Sequence, residues 1–541
     1  MQDTKRLKDP IYGYIEIPRS TMNTVVDTAE FQRLRNIIQT SYAPLYSSAV
    51  HNRFVHSLGV YHLGRIVTST IRENISSSVP VEDLERTLQI FELACLLHDL
   101  GHSPFSHTGE EYYLNNGSRN ELHREVIELT GDRELEEEIK NKNYKAAPHE
   151  LMSVIVSLKR FREIFRTSEE KSLFARCILG YLYGEKNDLK HSFLNCIISF
   201  LNSSIIDVDR LDYLIRDAYL TGFDTISIDY ERLLKSVNIV LCKDKYEVVY
   251  AKSAISVIEN VVYAHDAERK WIQNHPVVQY EAYLLRNVID SLAAKYCNNK
   301  LFSYESLTVQ GTKLSNDYRI SLLSDADIIF LMKNMQNDSV DEYFQRQLRR
   351  HPLWKSEPEY KALFKKGFTD EMFDKFDVAM DELSNQMNFV CRSQEINQTA
   401  LDLLIKDLKA TKRMAEKADI DSINKNRLDM LVKKKEKNVK WLEVFNQLAE
   451  KQGIPFDFVI IKANQFNSGF AKEAFGNILI SFDSIEEPQK FKDVTSVLKA
   501  DKSSRDKFFY LYYRKNEDNH KIDLKAIANT IAQAAVAEVY S

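Results

Sequence analysis

The segment Ile206–Asp217 reads Ile-Asp-Val-Asp-Arg-Leu-Asp-Tyr-Leu-Ile-Arg-Asp, an apolar helix carrying four Asp and two Arg. An unpartnered buried charge is too costly for an ordinary core helix. The fold must therefore bring these groups to partners, to a metal or to a wet cavity. A structural ion-pair network accounts for Asp207 or Asp212 but not for the whole set.

The rest of the chain supplies mostly helices. Only 15 Gly and 11 Pro occur in 541 residues, less than half the average share of roughly 12%. That argues against a hairpin-rich β protein and against low-complexity disorder, and no Walker-type phosphate loop is present. Apolar spacing predicts helices over Val25–Gln39, with Asp27 and Thr28 as capping candidates, over Phe54–Ile75, and over Val81–Leu100, with Leu100-Gly101 as the stop. Further helices are expected over 147–184, 189–222 and 253–300. Ile11–Ile17 reads as extended, and Val237–Val249 reads as a hairpin around Lys243-Asp244-Lys245. Residues 320–450 are polar-helical. Strand-like runs follow at Phe456–Ile461, Asn477–Phe482 and Phe508–Arg514, then a helix at Leu524–Tyr540. The expected fold is mainly α, a helical core with a small C-terminal α+β lobe. The expected division is a core at 1–320, a Lys-rich helical extension at 321–452 and the lobe at 453–541.

A net charge of −5 predicts no overall attraction to nucleic acid or membrane. Apolar runs fall short of the ~18 residues of a membrane span, and Met1–Pro10 lacks a signal-peptide core. The Lys-rich stretch Lys406–Lys440 reads as a solvated helix face, with a polyanion-binding, nucleic-acid arm as the alternative. Cys95, Cys177, Cys196, Cys242, Cys297 and Cys391 are scattered without CxxC spacing, as expected of reduced cytoplasmic thiols.

Eight of the 13 His lie between His51 and His149. The run Leu96-Leu-His98-Asp99-Leu-Gly-His102-Ser-Pro-Phe-Ser-His107 delivers adjacent His and Asp at the end of an apolar helix. The HExxH zinc template is broken here by Asp99 and Gly101. Imidazole beside carboxylate can share one divalent cation, with Mn, Fe, Zn and Mg indistinguishable by spacing. His56 stands near the start of an upstream apolar helix, and Asp209 stands in the ionisable helix downstream. His62 and His123 have no place in this pattern and read as surface or packing residues; His51 reads as a helix-start residue.

His56, His98-Asp99 and Asp209 resemble the H…HD…D signature of HD-domain phosphohydrolases. The words Asp9–Glu16, Asp27–Arg35, His51–Val60 and Asp207–Tyr213 are similar to the deoxynucleoside triphosphate triphosphohydrolase family within them, over roughly residues 5–300. The resemblance implies an HD-domain core and hydrolysis of a dNTP to deoxynucleoside and inorganic triphosphate. It implies that His56, His98, Asp99 and Asp209 ligate one divalent metal. It makes His102 and His149 the acid–base pair, oriented by Glu110 and Glu150. Arg53 would contact the α-phosphate region, His107 the phosphate pocket and Arg210 the triphosphate. Tyr213 and Asp217 would hold the sugar 3′-hydroxyl, with Gln39 beside sugar and base. Lys5, Asp27, Gln32 and Arg35 match a nucleotide-activator site, implying allosteric assembly into a homo-oligomer, dimer or tetramer.

The sequence departs from that family after Gln39, where Thr40-Ser-Tyr-Ala-Pro44 replaces a Gly-rich stretch. It departs again at His265 and Gln273, which stand where the family has a phosphate-binding Arg and a sugar-stacking Tyr. The alternatives are another HD phosphohydrolase, such as a nucleotidase, cyclic-nucleotide phosphodiesterase or nuclease, and a nucleotide-sensing binding protein.

Overall fold

The computed structural model describes residues 3–40, 45–74, 79–114, 119–141, 146–184, 188–203, 205–223, 227–296, 301–314, 318–364, 369, 371, 378, 380–381, 397–416, 422–463, 473–495, 509–515 and 522–539. Cys297, Cys391, Ser41–Pro44 and Phe508 lie outside them. Two compact units are present: Met1–Ile272 with Ser291–Asn334 and Asn467–Ser504, and Gln273–Asp290 with Met335–Phe466 and Arg505–Ser541. This spatial division interleaves segments that the sequence reading takes consecutively.

The first unit opens with an antiparallel hairpin, β1 (Thr4–Asp9) and β2 (Gly13–Pro18), in register Thr4↔Pro18 to Asp9↔Gly13. Among its helices are α1 (Arg53–Asn74), α2 (Leu84–Leu97), α3 (Arg119–Thr130), α4 (Arg133–Asn141), α5 (Pro148–Arg160), α6 (Ser168–Leu179), α7 (Leu189–Ser199), α8 (Val208–Thr221) and α9 (Ile255–Ala267). Local chemistry explains their ends. Asp83, Thr167 and Asp207 accept from the backbone N–H of Arg86, Glu170 and Arg210 at the starts of α2, α6 and α8. Gly180 and Gly222, both left-handed, terminate α6 and α8. Helices α1 and α2 bury most of their apolar residues, among them Phe54, Leu58, Leu63, Val67, Phe91, Leu96 and Leu97.

Three expectations change in detail. The helix expected over Val25–Gln39 is broken into short turns: a wide turn at Met22–Val26, a helix at Ala29–Gln32 and a tight one at Arg33–Asn36. Thr28 is extended, and its hydroxyl donates to Val25 O, the local competition that disfavours a continuous helix. The helix expected to end at Gly101 ends at Leu97, and Gly101 is not in a left-handed conformation. Its missing side chain serves close packing instead: a Cβ there would lie 2.2 Å from Ser153 N on α5. Finally, Leu479–Phe482, expected in the C-terminal lobe, pairs parallel with Lys245–Ala251, half of the hairpin that fills the expected Val237–Val249 region.

The second unit has its own core, in which Trp354, Tyr360, Phe364, Trp441, Phe445 and Phe458 are buried. Its sheet has Phe509–Tyr513 between His351–Pro352 and Phe458–Lys462, all antiparallel. Within the Lys-rich region, the helices Asn397–Ala415 and Ser422–Gln452 pair through Lys412–Glu436 and Lys435–Asp407, each at 2.6 Å. No helix among the described residues is long and apolar enough to cross a membrane. Burial raises Cys95, Cys177, Cys196 and Cys242, all free, above ordinary thiol values.

Candidate active site

The first unit brings His56 from α1, His98 and Asp99 from the turn after α2, and Asp209 from the first turn of α8 to one place. Donor atoms of His56, His98 and Asp99 lie within 4.8 Å of one another. Asp209 Oδ1 lies 3.0 Å from His56 Nε2 and 3.7 Å from His98 Nε2. The first three are buried, whereas the Asp209 side chain is 40% exposed, so the cluster opens toward solvent at Asp209.

Both imidazoles are held from behind. His56 Nδ1 is bonded to Asp212 Oδ2 at 2.7 Å, and His98 Nδ1 to the carbonyl of Cys95 at 2.9 Å. These acceptors favour the proton on Nδ1 and leave the Nε2 lone pairs directed inward, 3.3 Å apart. Two such lone pairs repel unless a cation lies between them. Burial opposes charge on His56, yet hydrogen bonds to Asp209 and Asp212 outweigh it and push the group up to about 10. The carboxylates thus demand positive charge here, and two imidazoles with two carboxylates fit a divalent ion.

Asp99 joins this cluster to a second one. Its Oδ2 accepts from Arg53 Nη1 at 2.7 Å; its Oδ1 lies 3.4 Å from His98 Nε2 and 3.1 Å from His102 Nε2. His102 stacks on His149, with centroids 4.1 Å apart and planes inclined at 14°. His149 Nδ1 meets Glu110 Oε2, and Glu110 Oε1 lies 3.5 Å from His107 Nδ1. Burial pulls His149 down, but Glu110 overrides it and raises the group. His102 is driven well below the ordinary range by burial and by the charges of Arg53 and His149. The stack thus sets a ring whose charged form Glu110 favours against a ring whose neutral form burial favours.

Glu150 does not touch these rings. Its carboxylate accepts from Ala147 N at 2.7 Å, closing the start of α5, and from Asn202 Nδ2 at 3.0 Å. Arg53 is spread over Asp99, Ser106 Oγ and Gln39 O. Arg210 turns back onto the carbonyls of Ile205 and Ser203, with Tyr213 near enough to support its charge. Asp217 Oδ1 lies 2.7 Å from His51 Nε2, and the His51 carbonyl accepts from Gln39 N, so His51 is more than a helix-start residue. Among the described residues, Gln39 Oε1, Thr40 Oγ1, His51 Nδ1 and Arg210 Nε are buried polar atoms without hydrogen-bond partners. Each such orphan costs about 1–3 kcal/mol unless a polar ligand meets it. Gln32 accepts from Arg35 Nε at 2.7 Å, and Asp27 is close enough to support the Arg35 charge, whereas Lys5 stands exposed on β1.

Sequence reasoning did not find the residues that shape the turn carrying His98 to His107. Arg33 Nη2 donates to the carbonyls of Leu100 and His102, and Arg33 Nη1 to that of Leu323. Phe105 and Ser106 are left-handed without being glycine. Asp325 holds them, accepting from Phe105 N at 2.7 Å and Ile38 N at 2.8 Å. Separated from the motif by more than 200 residues, Asp325 carries no local signal; for Arg33, a buried Arg beside Phe31 and Leu34 was the only hint.

Residues 53–178 match the HD domain family. An uncharacterized Mycoplasma genitalium protein is 32% identical over 47% of this chain and 52% of its own. The deoxynucleoside triphosphate triphosphohydrolase SAMHD1 homolog of Dictyostelium discoideum is 29% identical over 49% of this chain and 46% of its own. The chain spans about half the length of the curated relatives it matches. A hypothetical protein from Aquifex aeolicus shares the fold at TM-score 0.55 and 18% identity, covering 98% of this chain and 100% of that one. Residues 53–178 thus match the HD domain, and over about half its length the chain is similar to a protein named as a dNTP triphosphohydrolase.

Proposed function

We propose that the protein hydrolyses deoxynucleoside triphosphates to deoxynucleoside and inorganic triphosphate. The observation that carries the reading is the sharing of Asp99 between the His56–His98 cluster and the His102–His149 stack. It sets a candidate divalent-cation site beside an imidazole whose charged form Glu110 favours. His56, His98, Asp99 and Asp209 would hold the ion, which when bound supplies Lewis-acid polarisation of a phosphoryl group.

The chain's own residues do the rest. Arg53 retains one unbonded N–H on each terminal nitrogen and offers them to α-phosphate oxygens. His107, exposed beside the stack, faces the phosphates, and Arg210 grips the triphosphate by swinging off its two carbonyls. As water adds to the α-phosphorus and the bond to the nucleoside 5′-oxygen breaks, His149 gives its proton to that oxygen, and Glu110 stabilises the imidazolium beforehand. His102, neutral, accepts a proton from the attacking water. The orphaned atoms of Gln39 and Thr40, with Tyr213 and Asp217, bind sugar and base. Asp27, Gln32 and Arg35, joined by Lys5, form the candidate activator site of a homo-oligomer.

Incubation with each dNTP and NTP, with Mg or Mn, followed by identification of the phosphate product, tests the reading. Triphosphate release is expected. Stepwise release of monophosphate points to a different HD phosphohydrolase, and binding without turnover points to a sensor.

A further inference from the structure

The hairpin β1–β2 reaches the support of His56. Asp212 is bonded at both oxygens, twice each. Its Oδ2 meets His56 Nδ1 at 2.7 Å and accepts from Arg216 Nε at 2.9 Å; its Oδ1 accepts from Tyr12 OH at 2.8 Å and from Arg216 Nη2 at 2.9 Å. Asp9 Oδ2 takes the third guanidinium nitrogen, Arg216 Nη1, at 3.0 Å. Asp9 Oδ1 ties the hairpin turn, accepting from Ile11 N and Tyr12 N. His56, Asp212, Arg216, Asp9 and Tyr12 are all buried. Gly59 makes room for them: a Cβ there would lie 1.8 Å from Asp212 Oδ1 and 2.5 Å from Arg216 Nη2.

A buried Arg needs one carboxylate to be neutralised, and Arg216 has two. The remaining negative charge is met by the N–H groups of Ile11 and Tyr12, by the Tyr12 hydroxyl and, through Asp212, by the back of the His56 ring. A carboxylate placed there fixes ring orientation and raises the basicity of a metal-ligating imidazole. With every acceptor position filled, Asp212 has no freedom to turn away.

We propose that Asp9 and Tyr12 are positioning residues of the metal centre, acting through the Asp212–Arg216 pair to hold His56 with its Nε2 aimed at the ion. The inference rests on the reading of His56 as a metal ligand and is independent of which nucleotide is cleaved. The hairpin is thereby part of the centre, although it contributes no ligand.

The test is Mn2+ affinity of the full chain, measured by calorimetry well below the unfolding temperature for wild type, Tyr12→Phe and Asp9→Asn. Unfolding of the metal-free proteins is followed in parallel. Both variants are expected to bind Mn2+ about tenfold more weakly or worse while folded. Asp132→Asn, which disturbs the buried Arg176 pair and shares no hydrogen-bond partner with His56 or Asp212, is expected to lower stability and leave affinity unchanged. Wild-type affinity, within twofold, in both hairpin variants overturns the proposal. So does an equal loss in Asp132→Asn, which marks general softening. If Asp9→Asn does not fold, Tyr12→Phe, which removes one hydroxyl, decides. A wild type that binds no Mn2+ overturns the metal reading and this inference together, whereas Mn2+ binding without dNTP turnover overturns only the proposed activity.

Discussion

His56 and His98 meet edge to edge, their rings inclined at 72° and their Nε2 atoms 3.3 Å apart, whereas His102 and His149 lie face to face at 4.1 Å. Lone pairs of imidazoles lie in the ring plane. Those of the first pair, on Nε2 atoms 3.3 Å apart, can share one ion; those of the second lie in nearly parallel, stacked planes and cannot both aim at one. Nitrogen atoms of His102, His107 and His149 also fall within 4.8 Å of one another, so closeness of donors does not separate the two groups. Direction does: the first arrangement suits a cation, the second a proton donor and a proton acceptor of unequal basicity set side by side.

Substitutions can break that contrast, beginning with the largest effect. Asp209→Ala is expected to abolish turnover and Mn2+ binding together; turnover in a variant shown to be folded refutes the ion site. His149→Gln is expected to slow turnover by about 10²–10⁴-fold with Mn2+ stoichiometry unchanged. Loss of bound Mn2+ there assigns the stacked group to an ion and erases the contrast.

Gly101→Ala forces a Cβ against the backbone of Ser153 and Met152. It must part the turn bearing His98, Asp99 and His102 from the helix bearing His149. A misplacement of that order lowers kcat by about a hundredfold, while Mn2+ affinity measured by calorimetry stays near wild type. The smallest effect is in pH. Glu110 raises His149, so Glu110→Gln lowers the imidazolium's pKa. The alkaline limb of the kcat profile is then expected to move to lower pH, with the rate at pH 8 falling more than the rate at pH 6. An unshifted limb removes His149 as the proton donor.

Much of the edge-to-edge group was legible in sequence. Its residues announce themselves as ionisable side chains inside apolar helices, where burial makes charge conspicuous. The face-to-face group was less so, because Glu110 and Glu150 look alike in a sequence: one meets an imidazole, and the other closes the start of its own helix. The major helices followed from apolar spacing. The broken stretch between Met22 and Asn36 did not, because Thr28 turns its hydroxyl onto Val25 within a run whose apolar spacing is otherwise that of a helix. The pairing of Leu479–Phe482 with a strand more than 200 residues earlier was also invisible, since a short apolar run carries no address for its partner.

Helix α8 adds a constraint of rotational phase. Asp209, Asp212 and Arg216 stand at intervals of three and four, a single stripe. One end of the stripe faces the cation site and the other anchors the hairpin. Inserting one residue between Asp209 and Asp212 would rotate everything beyond it by about 100°. The helix could still form between its caps, but ligand and anchor would point in different directions. Its length between these residues is therefore less free to drift than the identity of the residues on its other faces.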